Sequence, residues 1–163
     1  MESNLATWVV RRLLALLPWH APIHTVTASR SFPGKSIFAR HLDCGSCNAC
    51  ELEIQALFNP IYDVEQFGVQ LVSSPRHADV LLLTGPFTRN MADAASRTFE
   101  GMSFPRKIIG VGDCTRDGGI YKGSYALVDR PPDIEQAIAA HVPGCPPSPQ
   151  QILEALNQLK IDA

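Results

Sequence analysis

The stretch Asp79–Thr84 reads Asp-Val-Leu-Leu-Leu-Thr, an almost continuous apolar run that ends at Gly85-Pro86. A run of this length that ends at a turn signal is typical of a β-strand buried on both faces. A second apolar run, Lys107–Val111, ends in the same way at a glycine. Strands buried on both faces occur in parallel sheets that helices cover, so the two runs favour an α/β protein.

Other segments have the spacing of amphipathic helices, and they alternate with the apolar runs. Strands that alternate with helices predict a doubly wound parallel sheet with flanking helices. Binding sites in such sheets form in loops beyond the carboxyl ends of the strands. The predicted helices are Glu51–Phe58, Arg89–Gly101, Asp133–His141 and a last one from a Ser148 cap to Leu159, and a short strand is predicted at Tyr62–Phe67.

The N-terminal residues differ from this pattern. Ala6–Trp19 predicts a short amphipathic helix, which docks on a partner or lies in a membrane interface. It is too short and too charged to span a bilayer, which needs about 20 apolar residues. Ala21–Ala39 has no clear period and predicts an extended arm. We therefore expect an N-terminal arm over residues 1–37 and one domain over 38–163.

Charge and cysteine content exclude several classes of function for this chain. The chain has 163 residues, a net charge of −2 and no basic stripe, so we expect no nucleic-acid partner. Arg11 and Arg12 interrupt the N-terminal apolar run, so no secretory signal is predicted. Five cysteines in a cytoplasmic setting favour a metal site or a catalytic thiol over a disulfide scaffold.

The cysteines are unevenly distributed. Three lie within the seven residues from Cys44 to Cys50, and Cys114 and Cys145 stand alone in glycine-containing loops. Four thiolates bind either zinc or an iron–sulfur cluster. Structural zinc usually takes two Cys-x-x-Cys groups, and only the first set of cysteines has that spacing. The pattern therefore favours a [4Fe–4S] cluster over zinc, and it leaves one cysteine without a role.

Four motifs in this order carry a family resemblance: Cys47–Glu53, Ser74–Gly85, Gly110–Cys114 and Val142–Pro147. Together they resemble the small subunit of membrane-bound, energy-converting [NiFe] hydrogenases of the formate hydrogenlyase type. The same family includes the cluster-carrying subunit of respiratory complex I that lies next to the quinone site. The resemblance covers about residues 38–159 and implies a flavodoxin-like domain.

The resemblance implies one [4Fe–4S] cluster held by Cys47, Cys50, Cys114 and Cys145. Cys44 is then the surplus thiol. The pair of Cys44 and Cys47 has the same spacing as Cys47 and Cys50, and it stays open as an alternative. The complex I subunit has two adjacent cysteines where this chain has Cys-x-x-Cys, which points to the hydrogenase branch.

Charged residues near the motifs have two interpretations. Glu51 and Glu53 would complement the helix dipole at a solvent-exposed helix start. The family has a glutamate-based proton path, and the resemblance makes Glu53 the candidate relay. Arg76 and His77 precede the Asp79–Thr84 run, and they are candidates for tuning the potential of a nearby cluster. His41 has no ligand-like spacing to the other histidines and is expected to be a structural or surface residue.

The resemblance implies an electron-transfer subunit of an oxidoreductase complex, without a complete active site of its own. Its partners would be a ferredoxin-like iron–sulfur subunit, a [NiFe]-hydrogenase-like large subunit and membrane-arm subunits. The complex would lie on the cytoplasmic face of the inner (cell) membrane, with this chain peripheral. The rivals are a complex I-like quinone-reducing role, a related complex without nickel, and a structural zinc scaffold.

Overall fold

The computed structural model describes residues 36–161. The predicted amphipathic helix and all but the end of the extended arm lie outside these residues. The division into residues 1–37 and 38–163 stays a prediction. Within the described part of the chain, no helix has both the length and the apolar character that crossing a membrane requires.

A single parallel sheet forms the centre of the domain. Its strands are β1 (Ile37–Asp43), β2 (Val69–Leu71), β3 (Val80–Thr84), β4 (Lys107–Val111) and β5 (Ile138–Val142). Their order across the sheet is β2-β1-β3-β4-β5, and every neighbouring pair is parallel. This is the strand order of flavodoxin-like doubly wound sheets, so the predicted fold class is confirmed.

Helices cover both faces of the sheet. They are α1 (Ala49–Ala56), α2 (Ala92–Glu100), α3 (Cys114–Asp117), α4 (Pro132–Gln136) and α5 (Pro149–Ile161). Successive side chains of a strand point to opposite faces. Leu82 packs with residues of α1 and α5, whereas its neighbours Leu81 and Leu83 pack with residues of α2 and α4. The Asp79–Thr84 run is thus buried on both faces, as its sequence predicts.

Truncating this central strand is expected to be costly. Leu82 is 1% exposed, and Leu82→Ala is expected to lower the free energy of unfolding by about 2–5 kcal/mol, because it leaves a cavity. Urea denaturation measures the loss. Leu71→Ala on the edge strand, where Leu71 is 41% exposed, is the matched control and should change the free energy by less than about 1 kcal/mol. Equal losses would contradict this packing.

Two predicted elements are wrong. The sequence predicts a strand at Tyr62–Phe67, but residues Val64–Phe67 form a 3₁₀ turn instead. This turn buries the side chains of Val64 and Phe67. The edge strand β2 follows this turn. The predicted helix Asp133–His141 ends at Gln136, and its second half forms β5 against β4. As a consequence, Cys145 follows a strand and not a helix.

The sequence also gave no sign of β1. Its first residues, from Ile37, belong to the stretch Ala21–Ala39, for which the sequence predicts an extended arm. In the described part of that stretch the prediction is wrong, because these residues form a strand of the sheet. β1 lies between β2 and β3. The loop that holds the first three cysteines therefore leaves the carboxyl end of a central strand. The loops of Cys114 and Cys145 leave the same edge, after β4 and β5.

Arg76 and His77 lie at the amino-terminal ends of the strands, opposite the cysteine loops. They form a 3₁₀ turn that leads into the amino end of β3. All strands run parallel, so this turn and the cysteine loops are at opposite ends of the strands. The predicted influence of Arg76 and His77 on a cluster is therefore wrong, since the length of the sheet separates them from the cysteines.

Candidate metal centre

The first cysteine loop follows β1 and is held by its own turn. The Asp43 side chain accepts hydrogen bonds from the backbone N–H groups of Gly45 and Ser46, both at 2.7 Å. The loop lies directly on the turn after β3, because a Cβ atom on Gly85 would be 2.5 Å from the Ser46 nitrogen. Gly85 has φ +75°, a conformation that favours glycine. Only a residue without a side chain allows this approach.

The loops after β4 and β5 are joined to each other. The backbone N–H of Asp113 donates to the carbonyl of Gly144 at 2.9 Å. In return, the N–H of Gly144 donates to the Asp113 side chain at 3.1 Å. Cys114 and Cys145 are the next residues of their loops. This reciprocal pair of hydrogen bonds therefore keeps the two isolated cysteines on neighbouring loops.

Cys50 connects the first loop to the other two. It is the second residue of α1, and its side chain is buried. A Cβ atom on Gly112 would lie 2.7 Å from the Cys50 Sγ atom. Gly112 has φ +91° and stands two residues before Cys114. The Cys50 sulfur thus rests on the backbone of the Cys114 loop.

The electrostatics of the thiols show the same arrangement. Burial, with smaller contributions from the charges of Glu51, Cys114, Cys47 and Cys145, raises the pKa of Cys50 to about 12. Burial also raises the pKa of Cys114, with added contributions from Cys145 and Cys47. The Cys50 thiolate would therefore feel the charge of the other three, and the Cys114 thiolate that of Cys145 and Cys47. A positive centre among them, such as iron, would remove this repulsion.

Backbone groups surround the Cys114 sulfur. A hydrogen bond from the backbone of Ile120 favours the thiolate and opposes the rise in its pKa. A Cβ atom on Gly119 would lie 3.0 Å from the Sγ atom, so backbone stands close to this side as well. The Arg130 guanidinium donates to the carbonyl of Thr115 and fixes the short helix that begins at Cys114.

Cys44 is separate from these four thiols. It is fully buried and packs with Leu42 and Phe87 on the face of the sheet opposite to Cys50. Burial, with a contribution from the charge of Asp43 and against the opposing charge of Arg130, raises the pKa of Cys44 to about 12. The charges that act on Cys44 thus come from other side chains than the cysteines that act on Cys50.

The four thiols differ in their exposure to solvent. Cys47 and Cys145 are exposed, whereas Cys50 and Cys114 are buried. Across residues 36–161, no three His, Cys, Asp or Glu side chains form a group that could hold a single metal ion. A cubane cluster takes each cysteine at a different iron atom. Four cysteines on three loops that pack against one another supply the donor set that such a cluster uses.

The burial of Glu51 is a feature that the sequence interpretation missed. This residue was expected to be solvent-exposed, but it is 8% exposed. Its Oε1 atom accepts a hydrogen bond from the Thr84 hydroxyl and lies 3.5 Å from His41 Nε2. His41 Nε2 lies 2.9 Å from the Thr84 Oγ1 atom. A polar Thr84 at the end of a buried strand was the available signal, because buried hydroxyls need partners. Glu53 is half-buried, and its relay role stays a prediction.

Burial acts on His41 as well. It lowers the pKa of His41, and the neighbouring carboxylate of Glu51 opposes that change. His41 is therefore a structural residue next to the site, which is one of the two roles that the sequence interpretation expected. It links β1 to the end of β3 through Thr84.

Two exposed apolar side chains, called here the rim, stand next to the buried thiols Cys50 and Cys114. Leu52, two residues after Cys50, is 57% exposed, and Ile120, which contacts Cys114 through its backbone, is 75% exposed. Large apolar side chains exposed around a polar centre mark interaction surfaces more often than free surface.

Known proteins show similarity over most of the chain. A family model described as NADH ubiquinone oxidoreductase, 20 Kd subunit, matches residues 47–159. The "Probable membrane-bound hydrogenase subunit mbhJ" of Pyrococcus furiosus is 41% identical over 125 residues, which cover 77% of this chain and 74% of that protein. Formate hydrogenlyase subunit 7 of Escherichia coli is 40% identical over 119 residues, 73% of this chain and 46% of that one. This chain thus matches about half the length of the Escherichia coli subunit.

Solved structures agree with these similarities. A chain of the membrane-bound sulfane sulfur reductase, an archaeal respiratory membrane complex, superposes with a TM-score of 0.65 at 25% identity, over 80% of this chain and 73% of that one. A chain of an NAD⁺-reducing [NiFe]-hydrogenase has the same fold, with a TM-score of 0.56 at 15% identity, over 78% and 93% of the two chains. The resemblance inferred from the four motifs is confirmed.

Proposed function

Since this chain belongs to the family of the NADH ubiquinone oxidoreductase 20 kDa subunit, we propose that it is an electron-transfer subunit holding one [4Fe–4S] cluster. The proposed ligands are Cys47, Cys50, Cys114 and Cys145. The observation that carries the proposal is the close packing of the three cysteine loops: Cys50 lies against Gly112 of the Cys114 loop, and Asp113 and Gly144 join that loop to the Cys145 loop. A bound cluster of this kind would accept and release single electrons.

The choice of Cys50 over Cys44 rests on packing. Cys50 lies against the Gly112 backbone, on the same side as the Cys114 loop. Cys44 packs in the core beneath the opposite face. A ligand set containing Cys44 would require this side chain to leave its fully buried position in that part of the core. The ligand pair is therefore Cys47 and Cys50.

The chain itself supplies a defined environment for such a group. Hydrogen bonds from backbone N–H groups to cysteine sulfurs stabilise negative charge there and raise a reduction potential. The Ile120 backbone supplies one to Cys114. The buried Cys50 and Cys114 exclude water on the inner side. The exposed Cys47 and Cys145 leave an outer side, where an electron partner would approach.

The partners follow from the family and the relatives. Relatives with 40% and 41% identity are named as subunits of formate hydrogenlyase and of a membrane-bound hydrogenase. We propose that a [NiFe]-hydrogenase-like large subunit covers the rim of Leu52 and Ile120, and that a ferredoxin-like subunit donates or receives the electron. Membrane-arm subunits would hold the complex at the cytoplasmic face of the cell membrane, where Glu53 is the proposed proton relay.

Anaerobic reconstitution of the full chain with iron and sulfide tests the proposal. We expect about four irons and four acid-labile sulfides per chain, together with a cubane-type EPR signal after reduction with dithionite. We expect this content because four thiolates from the described loops would bind the four irons of one cluster. Stoichiometric zinc without sulfide would instead support a structural scaffold and would overturn the proposal.

The redox partner is a separate question with its own experiment. A tagged full-length chain, purified from detergent-solubilised membranes, is expected to bring with it a large subunit that carries the nickel-ligating cysteines. The Cys-x-x-Cys spacing of Cys47 and Cys50 favours this outcome over the quinone-reducing branch. Recovery of a large subunit without those cysteines would contradict the proposed hydrogenase partner. It would mean that the electrons go to an acceptor other than protons.

A further inference from the structure

We infer that Glu51 is a positioning residue, whose buried carboxylate fastens the start of α1, and with it Cys47 and Cys50, to the carboxyl ends of β1 and β3. The inference rests on the proposed function only for the cluster that these cysteines would hold. The network itself consists of three side chains: Glu51, Thr84 and His41.

Helix α1 needs such an attachment because little else fixes its first turn. It has eight residues, and a helix this short is not stable without tertiary contacts. Its N-cap residue, Asn48, adopts a left-handed conformation with φ +71° and makes no side-chain cap hydrogen bond. The aliphatic side chains of this segment that pack in the core are Ile54 and Leu57, which lie at and just beyond its far end. Apart from Cys50 itself, the first turn contributes no side chain to that apolar cluster.

The network supplies the missing connection. The Thr84 hydroxyl donates to Glu51 Oε1, and His41 Nε2 is within 2.9 Å of the Thr84 oxygen. Thr84 is fully buried at the end of β3, and His41 lies on the neighbouring strand β1. One carboxylate oxygen on α1 is thereby tied to two strands of the rigid sheet. A shift or rotation of the first turn of α1 would break these contacts, so the network fixes the position of the Cys50 sulfur.

All of these contacts run through one oxygen of the carboxylate. The second oxygen, Oε2, is buried and has no hydrogen-bond partner among the described residues. A glutamine at this position would retain one acceptor oxygen and lose the negative charge. An alanine would lose both. The two substitutions therefore separate positioning by hydrogen bonding from an effect of charge on the cluster.

The experiment compares Glu51→Gln and Glu51→Ala in the reconstituted full chain. We expect Glu51→Gln to keep the wild-type EPR line shape and iron-chelation rate, and to raise the midpoint potential, because it removes a carboxylate charge that acts on Cys50. Glu51→Ala is expected to give a broadened or mixed EPR signal and to lose iron to a chelator about 10-fold faster, the scale found for residues that orient metal ligands. Gln55→Ala, at an exposed position of the same helix, is the control and should resemble the wild type.

A second pair of variants approaches the network from β3. Thr84→Val removes the hydroxyl and is expected to reproduce the signal of Glu51→Ala, whereas Thr84→Ser keeps the hydroxyl and should restore the wild-type signal. Circular dichroism verifies that each variant is folded. A wild-type line shape and chelation rate in Glu51→Ala would overturn the inference, and so would a Glu51→Gln signal as altered as that of Glu51→Ala. A wild-type chain without any cubane signal would overturn the proposed function instead.

Discussion

Cys50→Ala is expected to remove the cubane EPR signal of the reconstituted chain, whereas Cys44→Ala is expected to keep it. The physical reason is that Cys50 rests on the Gly112 backbone among the other candidate ligands, and Cys44 packs beneath the opposite face. Loss of one of four thiolates leaves an iron of the cluster without its protein ligand. Iron and sulfide content and low-temperature EPR of the reduced protein measure the effect.

Cys44→Ala is a demanding control, because both positions are buried cysteines of the same segment. Removing the Cys44 sulfur should lower the free energy of unfolding by about 1 kcal/mol, the ordinary cost of a small buried truncation. The cluster content should stay at the wild-type level. The opposite pattern, with the signal lost in Cys44→Ala and kept in Cys50→Ala, would show that the alternative pair of Cys44 and Cys47 holds the cluster.

Gly112→Ala is expected to prevent cluster assembly almost as completely as the loss of a ligand. The added Cβ would stand 2.7 Å from the Cys50 Sγ atom, closer than a non-bonded contact permits. The positive φ of +91° adds backbone strain of about 1–3 kcal/mol for a non-glycine residue. The sulfur or the loop must move, and either movement changes the arrangement of the ligands.

Gly123→Ala is the matched control for this substitution. Gly123 has a similar φ of +81°, but a Cβ there would meet no atom within 4 Å. The two variants therefore share the strain of a left-handed conformation and differ in the contact with the sulfur. We expect both to lose stability in urea denaturation, and only Gly112→Ala to lose iron and sulfide. Equal cluster content in the two variants would argue against close packing of Cys50 on this loop.

The main features of the sheet could be predicted from the sequence because its central strands are locally unambiguous. The runs at Asp79–Thr84 and Lys107–Val111 are apolar on both faces and end at glycine, so their type and burial follow directly. β1 could not be recognised in this way, since Arg40 and His41 interrupt its apolar pattern. His41 is tolerated there because Thr84 and Glu51 provide polar contacts that only the folded sheet brings together.

The errors at the other strands have a related cause. Ile138-Ala139-Ala140 suits a helix by local propensity, but pairing with β4 makes it a strand. At Tyr62–Phe67, the left-handed Asp63 and Gly68 turn the chain tightly on either side of Val64–Phe67. Tertiary pairing and backbone conformations of this kind are not encoded in the alternation of residue types.

The candidate site was predictable in its residue types but not in its geometry. The spacing of the cysteines and the family resemblance indicated the four thiols. The separation of Cys44 from Cys50 depends on which face of the sheet each side chain meets, and that depends on the unrecognised strand β1. The burial of Glu51 has the same origin, because its partner Thr84 lies on a strand paired with β1.

The arrangement of the loops along one edge also affects how the chain loses its structure. Cys47 follows the first strand of the described sheet and Cys145 follows its last strand, so an inorganic centre bound to both would cross-link the two ends of the sheet-forming segment. Like any cross-link that closes a long loop, it would restrict the denatured ensemble more than the native one. Oxidative damage to the centre would then weaken the entire domain at once, and the damaged subunit would become a substrate for proteolysis.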